Sequence, residues 1–475
     1  MTKNSRFYII SIVLIILIVA LFLLSPQDIN TIYFKNYCVD SFALIICFSI
    51  YGVQLIKKRV DIFSPMTLVS VLYIFMFFVT PIYDICREDY LWFGVDLFEY
   101  GIKGSLVALL GYICFWFANI IIIRNKKMLI GENNKTNENE LHVPIFQLNG
   151  QGVKTFIIIG YIVCLIANIF YLRSVSGSSL LYFLTLGLMG TSGTATSGDF
   201  GAISMLSYAL PSFCLLYFEY GKSKPIKIIA FVLMFMLQVA RGFRFFILQI
   251  VVMFVAYYFL RNNKKLKFKT VIITALLSMI PVLIMTMFRN TIRGGQGMDL
   301  SLVNWEAIVD AFDSAFWENL RIYKSYYGII KAVPNMTPYL YGKQMIIYTA
   351  IMLIPRALWK GKPGNPGTEA QRLGINQIAV MSGSAYPNLG EYYYELGIIG
   401  VVFWMIVLGR WLQSIEYKYR YNAKSNIDYM KYSTILAVLI QLIIRGYTPS
   451  NFWMLVVCML PYWLVDRFFR KNHFE

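Results

Sequence analysis

Apolar runs of about 20 residues, the length that carries an α-helix across the hydrocarbon core of a bilayer, recur from one end of this chain to the other. They fall near residues 7–24, 38–56, 64–82, 103–123, 153–172, 201–219, 226–240, 243–260, 270–288, 390–410, 431–446 and 449–466. Inside lipid every backbone amide must be satisfied within its own segment, which leaves a helix as the solution for such a run. With 58% hydrophobic and only 14% charged residues, the chain carries more apolar surface than a water-soluble core absorbs. The expectation is an all-α, polytopic helix bundle of about twelve spans, a single integral membrane domain over 1–475. No small-residue cleavage site follows Phe7 to Leu24, so this run reads as the first span rather than a leader.

Charge sets the orientation. The formal net charge is +18, and cytoplasmic loops collect Lys and Arg. A cytoplasmic N-terminus puts Lys57, Lys58, Arg59, Arg124, Lys126, Lys127, the lysines of 222–227, the Arg261–Lys269 cluster, the 410–431 loop and the C-terminal tail on the inner side. Both termini are then cytoplasmic, in an inner-membrane setting. The basic balance is an insertion signal, and no nucleic-acid partner is expected. The polar loop 124–152, with its GENNKTNENE run, reads as cytoplasmic and disordered. Residues 173–200 lie outside around Leu180 to Met189, a stretch too short to span and therefore re-entrant or interfacial.

Residues 289–389 form the one large extracytoplasmic loop. Within it Trp305, Ile308, Val309, Phe312, Phe316, Leu320, Tyr323, Tyr327 and Ile330 recur every three to four residues, one face of a helix. That face either lies in the membrane interface or packs on the outer ends of the bundle. Downstream, PRALWKGKPGNPGTEAQRLG is too rich in Pro and Gly to continue a helix. A long irregular basic loop of this kind is a lid or a binding loop. Cys38 and Cys86 lie near the outer side and are the one pair placed for a disulfide. No Cys/His metal-ligand spacing exists, and His142 and His473 are the only histidines; neither a metal nor a cofactor is expected.

The outer arginines need a cause other than topology. Arg241, Arg244, Arg289, Arg293, Arg356, Arg372 and Arg445 lie at outer span ends or in the outer loop. The guanidinium fork suits bidentate contacts with phosphate oxygens, and charges at membrane depth tend to line polar cavities. Arg289 and Arg293 share a helical face leading into RGGQG, whose free amides suit an anion. A lipid-linked pyrophosphate is the simplest partner. Glu391 and Glu395 are four residues apart at the start of a span, on one helix face. Glu391 is the candidate general base for a sugar hydroxyl.

ARGFR at 240–244, FRNTIRGG at 288–295, IPRALWKGKP at 354–363, NLGEYYYELGIIG at 388–400 and IRGYTPSNFW at 444–453, with the large loop before the last three spans, resemble the Wzy family of O-antigen and capsular polysaccharide polymerases. The resemblance implies a fold similar to type C membrane glycosyltransferases. It implies metal-independent joining of undecaprenyl-pyrophosphate-linked repeat units outside the cytoplasmic membrane, with a chain-length regulator as a further partner. On that reading Glu391, Arg293 and Arg356 are catalytic. Arg241, Arg244, Arg289, Lys362, Arg372, Arg445, Trp359 and Glu395 bind substrate. A flippase of lipid-linked oligosaccharide and an O-antigen ligase are the alternatives. Related ligases rely on an outer histidine, and this chain offers none there.

Overall fold

The computed structural model describes residues 3–26, 28, 31–56, 61–130, 150–176, 205–240, 244–264, 304–354, 358–375 and 385–468, with single positions 273, 280, 283, 286 and 287. Its helices are α1 (Lys3–Leu23), α2 (Ile32–Ile56), α3 (Pro65–Ile74) and α4 (Thr80–Cys86), the last two joined through a π-turn at Phe75–Val79. After a short hairpin come α5 (Gly101–Ile130), α6 (Gly150–Ser176), α7 (Leu210–Tyr220), α8 (Lys224–Ala240) and α9 (Arg244–Arg261). The segment 289–389, expected from sequence to be the outer loop and called so below, contributes α10 (Trp305–Trp317), α11 (Tyr323–Ala332) and α12 (Thr368–Gly374). Three long helices close the chain: α13 (Asn388–Glu416), α14 (Asn426–Arg445) and α15 (Thr448–Phe468).

Among the described residues, seven helices are long and apolar enough to cross a membrane: Ile32–Gln54, Pro65–Cys86, Phe98–Ala118, Gln151–Leu172, Asn388–Tyr421, Asn426–Arg445 and Thr448–Phe468. The protein is thus an all-α, multi-pass membrane protein, apart from a two-stranded ribbon pairing Leu91–Trp92 with Val95–Asp96. Phe93 and Gly94 turn that ribbon with positive φ at both positions, as a two-residue hairpin requires. The runs at 7–24, 201–219, 226–240 and 243–260 coincide with α1, α7, α8 and α9. Of these, α7 is only 11 residues, because Pro211 opens it late in its run. Nearly all of the expected span at 270–288, most of 173–200 and the centre of 124–152 lie outside the described residues.

Contacts at helix ends order the bundle. α9 and α14 run antiparallel: Gln249 donates to Gln441 (2.8 Å), and the Arg445 guanidinium lies 4.8 Å from the Phe245 ring centre at one end. At the opposite end Glu219 of α7 accepts from Arg261 (2.8 Å) and Asn426 (2.9 Å). That same end holds Arg420 between Asp61 and Glu416. α5 and α13 approach closely because Gly409 is a glycine: a Cβ there would come within 2.7 Å of the Phe115 carbonyl oxygen. Small residues at such crossings let backbones approach, and van der Waals packing then holds helices together in lipid.

The long amphipathic helix expected over 305–330 is two helices with opposite environments. On α10 Trp305, Val309, Phe312 and Phe316 are exposed, while on α11 Tyr323, Tyr327 and Ile330 are buried. The packing placement is thus seen for α11. The break coincides with a buried ion network that hydropathy does not register. Arg321 contacts Asp84 (2.9 Å), Asp89 (3.2 Å) and Asp313 (3.3 Å). Lys324, almost fully buried, contacts Asp84 at 3.1 Å and Asp89 at 3.4 Å. Tyr323 donates to the other face of this cluster, to Asp84 Oδ2 (2.9 Å). Burial and then the Asp84 charge hold the Tyr323 hydroxyl well above the usual tyrosine range, so it remains a donor. Cys38 and Cys86 are both free thiols.

Candidate active site

At the end of the bundle that carries the outer loop, α13 begins with two carboxylates one turn apart. Both face other elements. Glu395 accepts from the backbone N–H groups of Gly342, Gln344 (3.1 Å) and Met345 (2.8 Å). It thereby caps the free amides where the helical turn Lys343–Tyr348 begins. Uncapped amides at a helix start carry partial positive charge, which a carboxylate satisfies.

Glu391 does the same for α15. Its carboxylate accepts from the Thr448 N–H (3.0 and 2.9 Å) and the Thr448 hydroxyl (2.6 Å). A fourth bond arrives from Gln344 Nε2 at 2.7 Å, which also donates to the Tyr386 hydroxyl at 2.8 Å. Glu391, Glu395 and Gln344 are all buried. Burial, followed by the nearby Glu391 charge, pushes the Tyr386 hydroxyl well above its ordinary range, so it too stays protonated.

The turn between α14 and α15 completes the cluster. Gly446 adopts φ +50°, and a side chain there would meet the backbone of Tyr386 and Pro387 at about 3 Å. Asn451, buried one turn into α15, donates to the Gly446 carbonyl and to that of Tyr447 (3.3 Å). The segment IRGYTPSNFW is thus a turn locked against the start of α13. Gln344 joins the outer loop to both.

The expected site residues divide clearly. Glu391, Glu395 and Arg445 come to this junction; Arg445 closes α14 and donates to Asn319 of the outer loop (3.1 Å). Lys362 joins it by way of Tyr348, over whose ring its ammonium sits at 5.9 Å. Its Nζ also donates to the carbonyls of Met352 (2.6 Å) and Ile354 (3.0 Å), so it ties the loop as well. Arg372 is paired with Glu369 on α12 (2.7 Å), and Trp359 is exposed. Arg244 opens α9. Arg241, Arg289, Arg293 and Arg356 lie outside the described residues. Sequence reading missed Gln344, Tyr386 and Thr448. The motif holding Thr448 was in view, but nothing local connects it to a glutamate 57 positions away.

This junction brings two of the quoted motifs together, those at 388–400 and 444–453. The profile of the family described as O-antigen polysaccharide polymerase Wzy matches residues 7–473. The chain belongs to that family. Its Wzy profile covers every span and the whole outer loop. No curated protein and no solved structure matches the chain. Among the described residues of this Wzy family member, no group of three or more His, Cys, Asp or Glu side chains is placed to hold a metal ion.

Proposed function

We propose that the protein polymerises undecaprenyl-pyrophosphate-linked oligosaccharide repeat units into a surface polysaccharide, on the outer face of the cytoplasmic membrane. The observation that carries this reading is the family match over 7–473. The junction of α13, α14 and α15 with the 289–389 segment is the proposed place.

In the proposed reaction a hydroxyl of the incoming repeat unit attacks the anomeric carbon of the growing chain, and the lipid pyrophosphate departs. Charge grows on that leaving group, and fixed guanidinium groups in a site of low dielectric stabilise it. Arg293 and Arg356 are proposed for this role, with Arg241, Arg244, Arg289, Arg372, Arg445 and Lys362 holding the substrate. Trp359 is proposed to stack on a sugar.

For Glu391 we propose a positioning part in place of the general base that sequence alone suggests. Its oxygens already accept from three protein donors, the Thr448 N–H shared between both oxygens, the Thr448 hydroxyl and Gln344 Nε2, and a base needs a lone pair facing its substrate. Glu391 and Glu395 are better suited to positioning: they fix the outer loop and the start of α15 relative to α13.

Disruption of the gene in its host, with analysis of surface polysaccharide, tests the reading. Long chains should vanish while single-repeat products persist. Complementation with Arg293→Ala or Arg356→Ala should fail to restore them. Repeat units trapped on the inner leaflet would instead indicate a flippase, and full-length chains in either variant would remove that arginine from the site.

A further inference from the structure

The carboxylate junction leaves one acceptor and one donor of its own unmet, close together. Gln344 Nε2 donates to Glu391 (2.7 Å) and to the Tyr386 hydroxyl (2.8 Å). Glu391 needs a donor at that point, so the amide cannot turn over, and Gln344 Oε1 stays buried without a hydrogen bond. The Tyr386 hydroxyl accepts from Gln344, and among the described residues its own proton has no acceptor. Both side chains are buried, and a buried polar group without a partner is costly.

Gly367 covers the pair. It is buried, and a Cβ built on it would collide with both Gln344 Oε1 and the Tyr386 hydroxyl oxygen. Its α-carbon therefore rests against both atoms, while its N–H turns away to Asn365 Oδ1 (3.0 Å). The chain is fastened on either side of this contact. Lys362 Nζ donates to the carbonyls of Met352 and Ile354, and at the end of α12 a Cβ on Gly374 would collide with the Gly328 carbonyl. Between these points Pro363 and Gly364 are exposed, and a Cβ on Gly364 would meet nothing within 4 Å. The PGNPG stretch at 363–367 is thus a strap held at both ends, whose last glycine sits on a polar notch through a methylene.

An unmet acceptor and an unmet donor that meet at one point call for an atom that both donates and accepts. A hydroxyl does both, and it is close in size to the methylene it would replace. A pyrophosphate offers acceptors alone and would bring its charge up to Gln344 Oε1 and the Glu391 carboxylate. An ammonium has no lone pair for the Tyr386 proton. We propose that the strap lifts Gly367 from the notch when substrate binds, and that a sugar hydroxyl of the lipid-linked repeat unit takes its place, donating to Gln344 Oε1 and accepting from the Tyr386 hydroxyl. This rests on the polymerase reading and adds to it a division of labour: the glycan is held at the notch, and the pyrophosphate is left to the arginines.

The test uses the full-length protein with lipid-linked repeat units extracted from the gene-disrupted host, and undecaprenyl pyrophosphate as the sugar-free control. Tyr386→Phe trades one unmet donor for another, since Gln344 then keeps a spare N–H, so the thermal midpoint should hold. KM for the repeat unit should rise about ten-fold, the loss of one hydrogen bond to substrate, with kcat little changed. Gly367→Ala cannot seat in the notch, so KM should fall, because apparent affinity scales with the fraction of protein whose notch stands uncovered. Gly364→Ala, which has room for its methyl group, should change neither constant. In the unaltered protein, amide hydrogen exchange over 363–369 should quicken with repeat units and not with undecaprenyl pyrophosphate. An unmoved KM in Tyr386→Phe overturns the proposal, as does a KM that is raised or unmoved in a folded Gly367→Ala protein. Exchange that stays constant, slows, or responds equally to the sugar-free lipid overturns it as well, and that measurement needs no variant to fold. Failure of the polymerase reading looks different: the unaltered protein then makes no polymer from these units.

Discussion

A carboxylate that accepts from three donors of its own protein is a clamp, and for Glu391 that distinction can be measured. In Glu391→Gln, the new N–H₂ meets donors at both Thr448 and Gln344 as they stand, so either a donor is left unmet or the Gln344 amide turns over and gives up its bond to Tyr386. A buried donor without an acceptor costs about 1–3 kcal/mol. If that falls on the active arrangement of the loop, polymer yield drops about ten-fold or more while the protein still inserts. Adding Gln344→Glu should reverse much of the loss. The amide at position 391 would then accept from Thr448 and donate to the new carboxylate, and the Tyr386 hydroxyl would donate there too. Chain-length analysis of the single and double variants checks this. A double variant as inactive as the single would restore the general-base reading of Glu391. The carboxylate pair itself was legible from its four-residue spacing. Its purpose was not, because Gln344 and Thr448 reach it from 47 and 57 residues away, and no local pattern encodes a contact of that range.

Elements were legible where their character is uniform along their length and illegible where it changes midway. The seven long spans could be read because apolar side chains dominate each over some 20 residues. The run from Trp305 to Ile330 keeps a single helical period through two environments, and what divides it is polar: Asp313, Arg321 and Lys324 fasten to Asp84 and Asp89. Asp84, an acid just beyond the apolar run 64–82, was the available signal, since an ionisable group at membrane depth implies a partner. Removing one member of a fully buried pair leaves its partner's charge uncompensated, at about 3–5 kcal/mol. Lys324→Met should therefore lower the thermal midpoint in detergent sharply, and Lys324→Met with Asp84→Asn should recover part of it. Equal midpoints for the two variants would mean that Arg321 alone holds the cluster. The exposed side of α10 makes its own prediction. With Cys38 and Cys86 replaced by Ser, a spin label at Phe312→Cys should collide more with lipid-soluble oxygen than with a water-soluble nickel complex. A label at Asp310→Cys, exposed on the polar face, should show the reverse. Matching accessibilities would take α10 out of the interface.

At the scale of the whole molecule, the contacts already divide the bundle into two chemically different ends. One end gathers the outer loop, the two helix starts capped by Glu391 and Glu395 and the Asp84 network; the other gathers Arg261, Arg420, Lys418, Lys424 and Lys431 around a few acids. The order of helix ends is internally consistent: the Leu21 carbonyl at the end of α1 lies at the loop end, and the last turns of α15 lie at the lysine end. With α1 running toward the loop end, its Lys3 end and the end of α15 share a side of the membrane. Charge bias then assigns that shared side to the cytoplasm, because Lys and Arg near span ends resist translocation. Contact geometry and charge bias are separate arguments, and only the second fixes which side is which. Alkaline phosphatase, which folds only when exported, separates them. Fused after residue 330 it should be active, and fused after residue 135 inactive. The opposite pattern would leave the bundle as described but invert it, moving the carboxylate junction to the cytoplasm, where a polymerase for exported lipid-linked units has no substrate. Activity at both positions would break the helix order instead, and with it the pairing of α9 with α14 on which the two ends were defined.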